Sequence, residues 1–459
     1  MASLRPSAPS APRTHFFNPE PIFTAMDAFE LYNPVRVFFG EGQLAHLYEQ
    51  IPAGARVLLT FGGGSIHRTG IYDEVRRALA DHHVVDFGGI EPNPHYETLV
   101  KALPIIKSEK IDFILAVGGG SVIDGTKFIA AAARYEGDDP WALLMNPKLA
   151  EGIEAMPFGT VLTLSATGSE MNNGAVITRA ETHEKFAFHS PSTFPVFSIV
   201  DPAYTLSLPT NQVVNGVVDA FVHVIEQYMT RPADAPLQDR FAEGLLSTLM
   251  EIGPKLLTSP KDMRLRDTLS LCAMWALNGW IACGVPEDWS THLIGHELTA
   301  FFGLDHGLTL AIVLPHLLRD QLEYKKAKLE QFARRVLGGQ YLENTKNRVA
   351  SSSPHKDENC EDPLSLSWFD FRNMMKSFWN TLITEEEELP PLPMAEIAIR
   401  AIESFFSHLY DGKIHLSDYG ITEEQLPPIW ERFEKRRWRM GENRTVDSEA
   451  VRRILLAAL

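Results

Sequence analysis

Asp219 and His223 stand four residues apart in the run Val214-Asn215-Gly216-Val217-Val218-Asp219-Ala220-Phe221-Val222-His223. On a helix, that spacing puts both side chains on one face. His292 and His296 repeat it in Thr291-His292-Leu293-Ile294-Gly295-His296-Glu297-Leu298-Thr299, and His306 follows in Leu304-Asp305-His306-Gly307. One carboxylate with three imidazoles suits a divalent zinc or iron ion and leaves a position open for water or substrate. His296-Glu297 has no second histidine four residues on, so the zinc-protease pattern is absent. The competing reading of each pair is a hydrogen-bonded core histidine, and a chain with 16 histidines makes chance pairs. The apolar flanks weigh against it. An unpartnered Asp219 among them is costly to bury, and a cation removes that cost.

A second chemistry is written in glycine. Gly62-Gly63-Gly64-Ser65 follows the apolar run Arg56–Phe61, and Gly118-Gly119-Gly120-Ser121 follows Asp112–Val117. A strand that ends in glycines and opens a helix presents bare backbone N–H groups and the positive end of the helix dipole, which together suit an anion. Two such turns at one sheet edge suit two phosphates of a dinucleotide. The standard fingerprints fail: the third Rossmann glycine would fall on Ile123, and Gly125-Thr126-Lys127 reverses the P-loop order. The alternative for either cluster is a tight turn with no ligand.

The elements that must position these groups divide the chain. Residues 26–204 alternate strand and helix signals: strands at Arg56–Phe61, Val84–Phe87, Asp112–Val117, Gly159–Thr163 and Val196–Val200, helices at Tyr72–Leu79 and Val122–Ala133, and a mostly helical stretch at Tyr96–Ile106. That order predicts an α/β domain with a parallel sheet covered on both faces. Residues 205–459 read as all-helical, with proline and glycine as punctuation. A polar stretch at about 338–393 interrupts them, carrying Ser351-Ser352-Ser353-Pro354, acid-rich segments and a short helix at Trp368–Trp379. Residues 1–25 read as a disordered or targeting extension, rich in proline and serine and poor in acids.

The 459 residues allow a large core, and 22% charged residues exclude wholesale disorder. The balance of 42 Lys+Arg against 59 Asp+Glu, a net −17, argues against a nucleic-acid partner and against docking on anionic membranes. No apolar run reaches the ~20 residues of a membrane-spanning helix. Three scattered cysteines fit a reducing compartment. The expected location is the cytoplasm, or a mitochondrion or plastid if residues 1–25 are a transit peptide.

Taken together, these motifs resemble the iron-containing (group III) alcohol dehydrogenases, in particular their NADPH-dependent aldehyde reductase and butanol dehydrogenase branch. The resemblance rests on Asn215–His223, Gly118–Lys127, Thr163–Glu170, His292–Thr299 and Leu304–His306. It implies a Rossmann-like dinucleotide-binding domain with a helical domain of the dehydroquinate synthase type. It implies metal ligation by Asp219, His223, His292 and His306, with His296 beside the metal as a catalytic residue. It places the pyrophosphate on Gly118, Gly119, Gly120 and Ser121, and the nicotinamide and its ribose near Asp124, Thr163, Thr167 and Ser169. Asp124 is then also a candidate catalytic group. The first turn, Gly62, Gly63, Gly64 and Ser65, carries no acid to repel a 2′-phosphate, and Lys185 matches a lysine of the NADPH users. The implied protein is a homodimer that reduces small aldehydes to primary alcohols with NADP(H) and Fe2+ or Zn2+. A polyol dehydrogenase, a metal-dependent lyase or a non-enzymatic scaffold are the alternatives.

Overall fold

Strand β4 (Phe113–Gly118) is buried at every position, as are β5 (Phe158–Leu162) and β8 (Phe197–Val200). A parallel sheet covered on both faces demands such continuous apolar runs. With β1 (Arg36–Phe39), β2 (Arg56–Phe61) and β3 (His83–Phe87) they form one six-stranded sheet in the order β1-β8-β5-β4-β2-β3, parallel throughout. The computed structural model describes residues 25–338 and 393–459. The expected terminal extension, except residue 25, and the short helix at Trp368–Trp379 lie outside the described residues.

Alternation along the strands sorts two cores. Leu58, Ile114, Ala116, Phe158 and Leu162 face helix α3 (Gly120–Ala132), while Val57, Leu59, Phe113, Leu115 and Val161 face helix α1 (Ile71–Ala78). From β2 the chain passes outward to β3, and from β4 it passes the other way to β5. β2 and β4 are neighbours, with Phe61 paired to Val117. Both glycine turns therefore sit at the point where the winding reverses, the usual ligand crevice of an open α/β sheet.

Two features refine the sequence reading. The mostly helical stretch Tyr96–Ile106 is two helices: Tyr96–Leu99 ends at Val100, and α2 (Ala102–Glu109) starts afresh. Pro104 explains the break, because its ring clashes with the carbonyl four residues back, that of Val100. Between β5 and β8 the chain also inserts an antiparallel hairpin, β6 (Gly174–Arg179) and β7 (Glu184–His189). Charged residues such as Arg179, Glu184 and Lys185 broke up its apolar pattern.

The described C-terminal residues are helical. α4 (Thr210–Tyr228) is the axis of this half, buried at nearly every position from Val213 onward. Around it pack α5 (Pro236–Thr258), α6 (Met263–Ala276), α7 (Ser290–Phe302), α8 (His306–Asp320), α9 (Leu322–Arg335) and α10 (Met394–Leu409). A second cluster joins α7 and α8 to α11 (Pro427–Arg436) and α12 (Ser448–Ala457). No helix of the described residues is long and apolar enough to cross a membrane. The halves meet where Gly216 of α4 touches the loop after β5: a Cβ there would lie 2.3 Å from the Ser165 carbonyl oxygen. Ser165 Oγ and Ser270 Oγ share a hydrogen bond of 2.7 Å beside it.

Candidate metal centre and cofactor cleft

α4 has almost no solvent face, so its polar residues need partners inside the protein. Asp219, His223 and Glu226 follow one another at spacings of four and three, which lines them along one side. α7 brings His292 to them and α8 opens with His306. Gly307 permits that approach, since a Cβ on it would lie 2.7 Å from the backbone of Asn215. The Nε2 atoms of His223, His292 and His306 lie 3.6, 3.6 and 3.7 Å from Oδ1 of Asp219. Donors on one tetrahedral ion with bonds of about 2.1 Å stand roughly 3.4 Å apart. Asp219 Oδ1 and His292 Nε2 are buried without a hydrogen-bond partner. An orphaned carboxylate oxygen facing imidazoles fits a divalent cation, and the donor atoms of Asp219, His292 and His306 all lie within 4.8 Å of one another, a set that does not include His223. His296 lies beside the set, its ring centroid 5.2 Å from that of His306.

Sequence reasoning missed Glu226. Its carboxylate pairs with Nδ1 of His292, and its Oε1 accepts from the backbone N–H of Thr291 at 2.6 Å and of His292 at 3.3 Å. Glu226 therefore holds the Nδ1 side of the ring and turns Nε2 toward Asp219, the arrangement that orients a metal ligand. The signal was available: Glu226 is three residues past His223 on the same helical face.

Burial dominates the electrostatics and the carboxylates reverse it locally. Burial takes His223 down to about 4, and takes His296 and His306 well below the ordinary value, with the Lys185 charge adding to both of these. Burial also opposes charge on His292, but Glu226 and Asp219 outweigh it and push that ring up to about 9. Asp219 resists burial in the same way and is held well below the usual carboxylate range by the surrounding imidazoles.

The glycine turn after β4 is tighter than expected. Gly118 ends the strand, Gly119 caps the helix and Gly120 is already its first residue. A Cβ on Gly119 would lie 2.9 Å from Leu164, and one on Gly120 2.4 Å from Thr167 Oγ1. The loop carrying Thr163 and Thr167 is thus packed directly on the turn, and Thr163 donates its N–H to the Gly118 carbonyl at 3.0 Å. Ser121 Oγ accepts from the Asn93 N–H at 3.3 Å. In the first turn, Gly63 has open space where a side chain would go. Gly64 adopts a φ of +92°, with only His67 nearby at 3.8 Å, ahead of Ser65. A Cβ on Gly62 would lie 3.3 Å from the Ile90 carbonyl oxygen.

Two expectations change. Both Asp124 oxygens already have protein donors: Ser169 Oγ at 2.5 Å and the Val176 N–H at 3.0 Å. Lys127, one turn along, donates to Ser169 Oγ, Asn172 Oδ1 and the Gly174 carbonyl at 2.8, 2.8 and 2.7 Å. Asp124 thus ties the hairpin to α3 at the cleft wall, rather than standing free as an acid or base. Lys185, on β7, donates to Asn93 Oδ1 at 2.9 Å. Burial lowers it to about 8 against the pull of Asp219 and Asp124, and its charge acts on His296 and His306. Its charge thus reaches the histidine cluster, because the unforeseen hairpin carries it there.

Known proteins share this architecture. The sequence signature described as iron-containing alcohol dehydrogenase matches residues 34–202, and that of the C-terminal part of the same family matches residues 213–356. The NADPH-dependent aldehyde reductase YqhD of Escherichia coli is 46% identical over 94% of this chain and 100% of its own length. Its crystal structure superposes with a TM-score of 0.81, covering 95% of this chain and all of that one. The NADP-dependent alcohol dehydrogenase 3 of Entamoeba histolytica is 44% identical over 68% of this chain and 81% of its own. The NADH-dependent butanol dehydrogenase A of Thermotoga maritima, 31% identical, superposes with a TM-score of 0.78 over 95% of this chain and 99% of its own. With both family signatures matched along its length and a 46% identical relative covered end to end, the chain belongs to the iron-containing alcohol dehydrogenase family.

Proposed function

We propose that this protein is a metal-dependent oxidoreductase that reduces small aldehydes to primary alcohols with NADPH, reversibly. The observation that carries the reading is the buried Asp219 oxygen with three imidazole Nε2 atoms within 3.7 Å, on the helix whose Gly216 packs against the loop after β5. Residues 26–204 act as the cofactor domain and residues 205–459 as the metal domain.

Asp219, His223, His292 and His306 would hold one divalent ion, iron or zinc. Such an ion supplies Lewis acidity to the carbonyl oxygen, and the nicotinamide supplies the hydride. Glu226 keeps His292 in the tautomer that binds. Gly118, Gly119, Gly120 and Ser121 offer backbone N–H groups to the pyrophosphate, with Thr163, Thr167 and Ser169 along the nicotinamide side. Lys185 sets a positive charge at the metal-facing end, where negative charge gathers on the aldehyde oxygen as it is reduced. The proton that completes the alcohol passes through His296, whose neutral ring accepts at one nitrogen and donates from the other. The acid-free first turn, Gly62 to Ser65, favours NADPH over NADH. The protein would work as a homodimer in the cytoplasm, or in an organelle if its first 25 residues are a transit peptide.

Metal-loaded protein given butanal should consume NADPH faster than NADH, followed by the absorbance of the reduced nicotinamide. No oxidation of either nucleotide refutes the activity; a preference for NADH refutes only the reading of the first turn.

A further inference from the structure

Away from the metal centre, three ionisable side chains share one buried pocket. Lys325 of α9 donates to Asp288 Oδ2 at 2.5 Å and to the Met229 carbonyl at 2.7 Å, with Glu442 Oε2 3.5 Å away. Their side chains are only 3, 5 and 3% exposed for Lys325, Asp288 and Glu442. They come from distant parts of the chain: α9, the segment leading into α7, and a turn near the C-terminus closed by Met440 and Val446. That turn presses close. A Cβ on Gly441 would lie 3.1 Å from Ser290 Oγ and 3.2 Å from Asp288 Oδ2.

Two carboxyl groups thus face one ammonium. The other groups turned toward them are Asn443, which donates to Glu442 Oε1 at 3.2 Å, Ser290, whose N–H donates to Asp288 Oδ1 at 2.9 Å, and the Glu226 carboxylate from α4. None of these is a second cation. A buried excess of one negative charge is relieved when one carboxyl keeps its proton. Asp288 has the ammonium and the Ser290 N–H to stabilise its charge, so the proton belongs to Glu442. Burial accordingly pushes Glu442 up to about 7 in spite of Lys325.

The pocket is joined to the metal centre through the segment it holds. The Asp288 N–H donates to the Glu226 carbonyl at 2.9 Å. Trp289 follows with a φ of +51°, a conformation a bulky residue adopts only when its surroundings impose it. Its indole stands edge-on to the rings of His223 and His292, with centroids 6.1 and 5.4 Å away. We propose that Glu442 is a proton-dependent positioning residue: in its protonated form it closes the Met440–Val446 turn onto Asp288, and so fixes Trp289 and the first turn of α7 against His223 and His292. Release of that proton to solvent sets two carboxylates against Lys325 and loosens the segment. The folded chain binds this proton more tightly than the unfolded one, whose glutamate titrates near about 4.3. The contribution to stability is therefore present in acid and is lost as pH rises through about 7.

The test compares the metal-loaded wild type with Glu442→Gln, which keeps the shape of the protonated acid, and with Glu442→Ala, which keeps neither shape nor contact. Thermal midpoints and release of metal to a chelator are followed between about pH 6 and about pH 8. The Gln variant should gain on the wild type by about 2 °C or more over that range. Metal release from the wild type should quicken about fivefold while that from the Gln variant stays level, and the Ala variant should release metal faster at every pH. Wild type and Gln tracking each other in both measurements overturns the proposal, as does a thermal gain with no change in metal release. The metal arm rests on the proposed metal centre and the thermal arm does not. A protein that binds no metal but shows the thermal gain thus refutes the centre, not the proton on Glu442.

Discussion

Asp219 meets three imidazole nitrogens within 3.7 Å, whereas Gly118, Gly119 and Gly120, at the other end of the cleft, bring no side chain at all. The proposed metal end rests on specific donors backed by a further carboxylate. The proposed phosphate end rests on backbone, and its requirement is that nothing intrude. Damage at the first end should remove a bound group outright, while damage at the second should grade the affinity for a cofactor that still binds.

His306→Ala tests the sharpest form of that contrast. It should lower kcat/KM about a thousandfold, equal to about 4 kcal/mol of transition-state stabilisation, with metal content falling in parallel. Full metal and normal turnover would break the comparison and the ligand assignment with it. Glu226→Gln should be milder: it leaves all four donors but unfixes the His292 tautomer, weakening metal binding by about 10–100-fold. Equilibrium dialysis against a metal buffer reads this directly, and an unchanged affinity would reduce Glu226 to a helix cap. At the phosphate end, Gly64→Asp should have the smallest effect. The site is open, and aspartate tolerates the left-handed backbone there better than most residues. The expected outcome is a shift of about tenfold in the NADPH/NADH ratio of kcat/KM, roughly 1.4 kcal/mol, with metal content unchanged. A ratio that stays put would show that the first turn does not choose the cofactor.

The contrast also explains what could be read from sequence. Asp219–His223 and His292–His296 were legible because the helical period turns a spacing into a shared face. The glycine clusters were legible because each follows a buried strand run, and the sheet does place them on neighbouring strands. Glu226 was not, because one glutamate in an apolar helix carries no pattern until its partner on another helix is known. The contacts of Lys185 and Asp124 were not legible for a related reason. Their partners lie on or beside the β6–β7 hairpin, whose charged edge hid it among loops. Glu442 is more remote still: its partners, Asp288 and Lys325, lie 154 and 117 residues away, and no local periodicity spans that gap.

The contact between Gly216 and the Ser165 carbonyl has a consequence for how such an enzyme can change over evolutionary time. Gly216 stands one turn before Asp219, and Ser165 stands between Thr163 and Thr167. Main chain meets main chain there, so the gauge of the active site, the span from metal ligands to cofactor loop, is machined into the scaffold. Residues outside this contact are then free to change without altering that span. A larger residue at 216 would act as a shim, widening that span for every substrate alike.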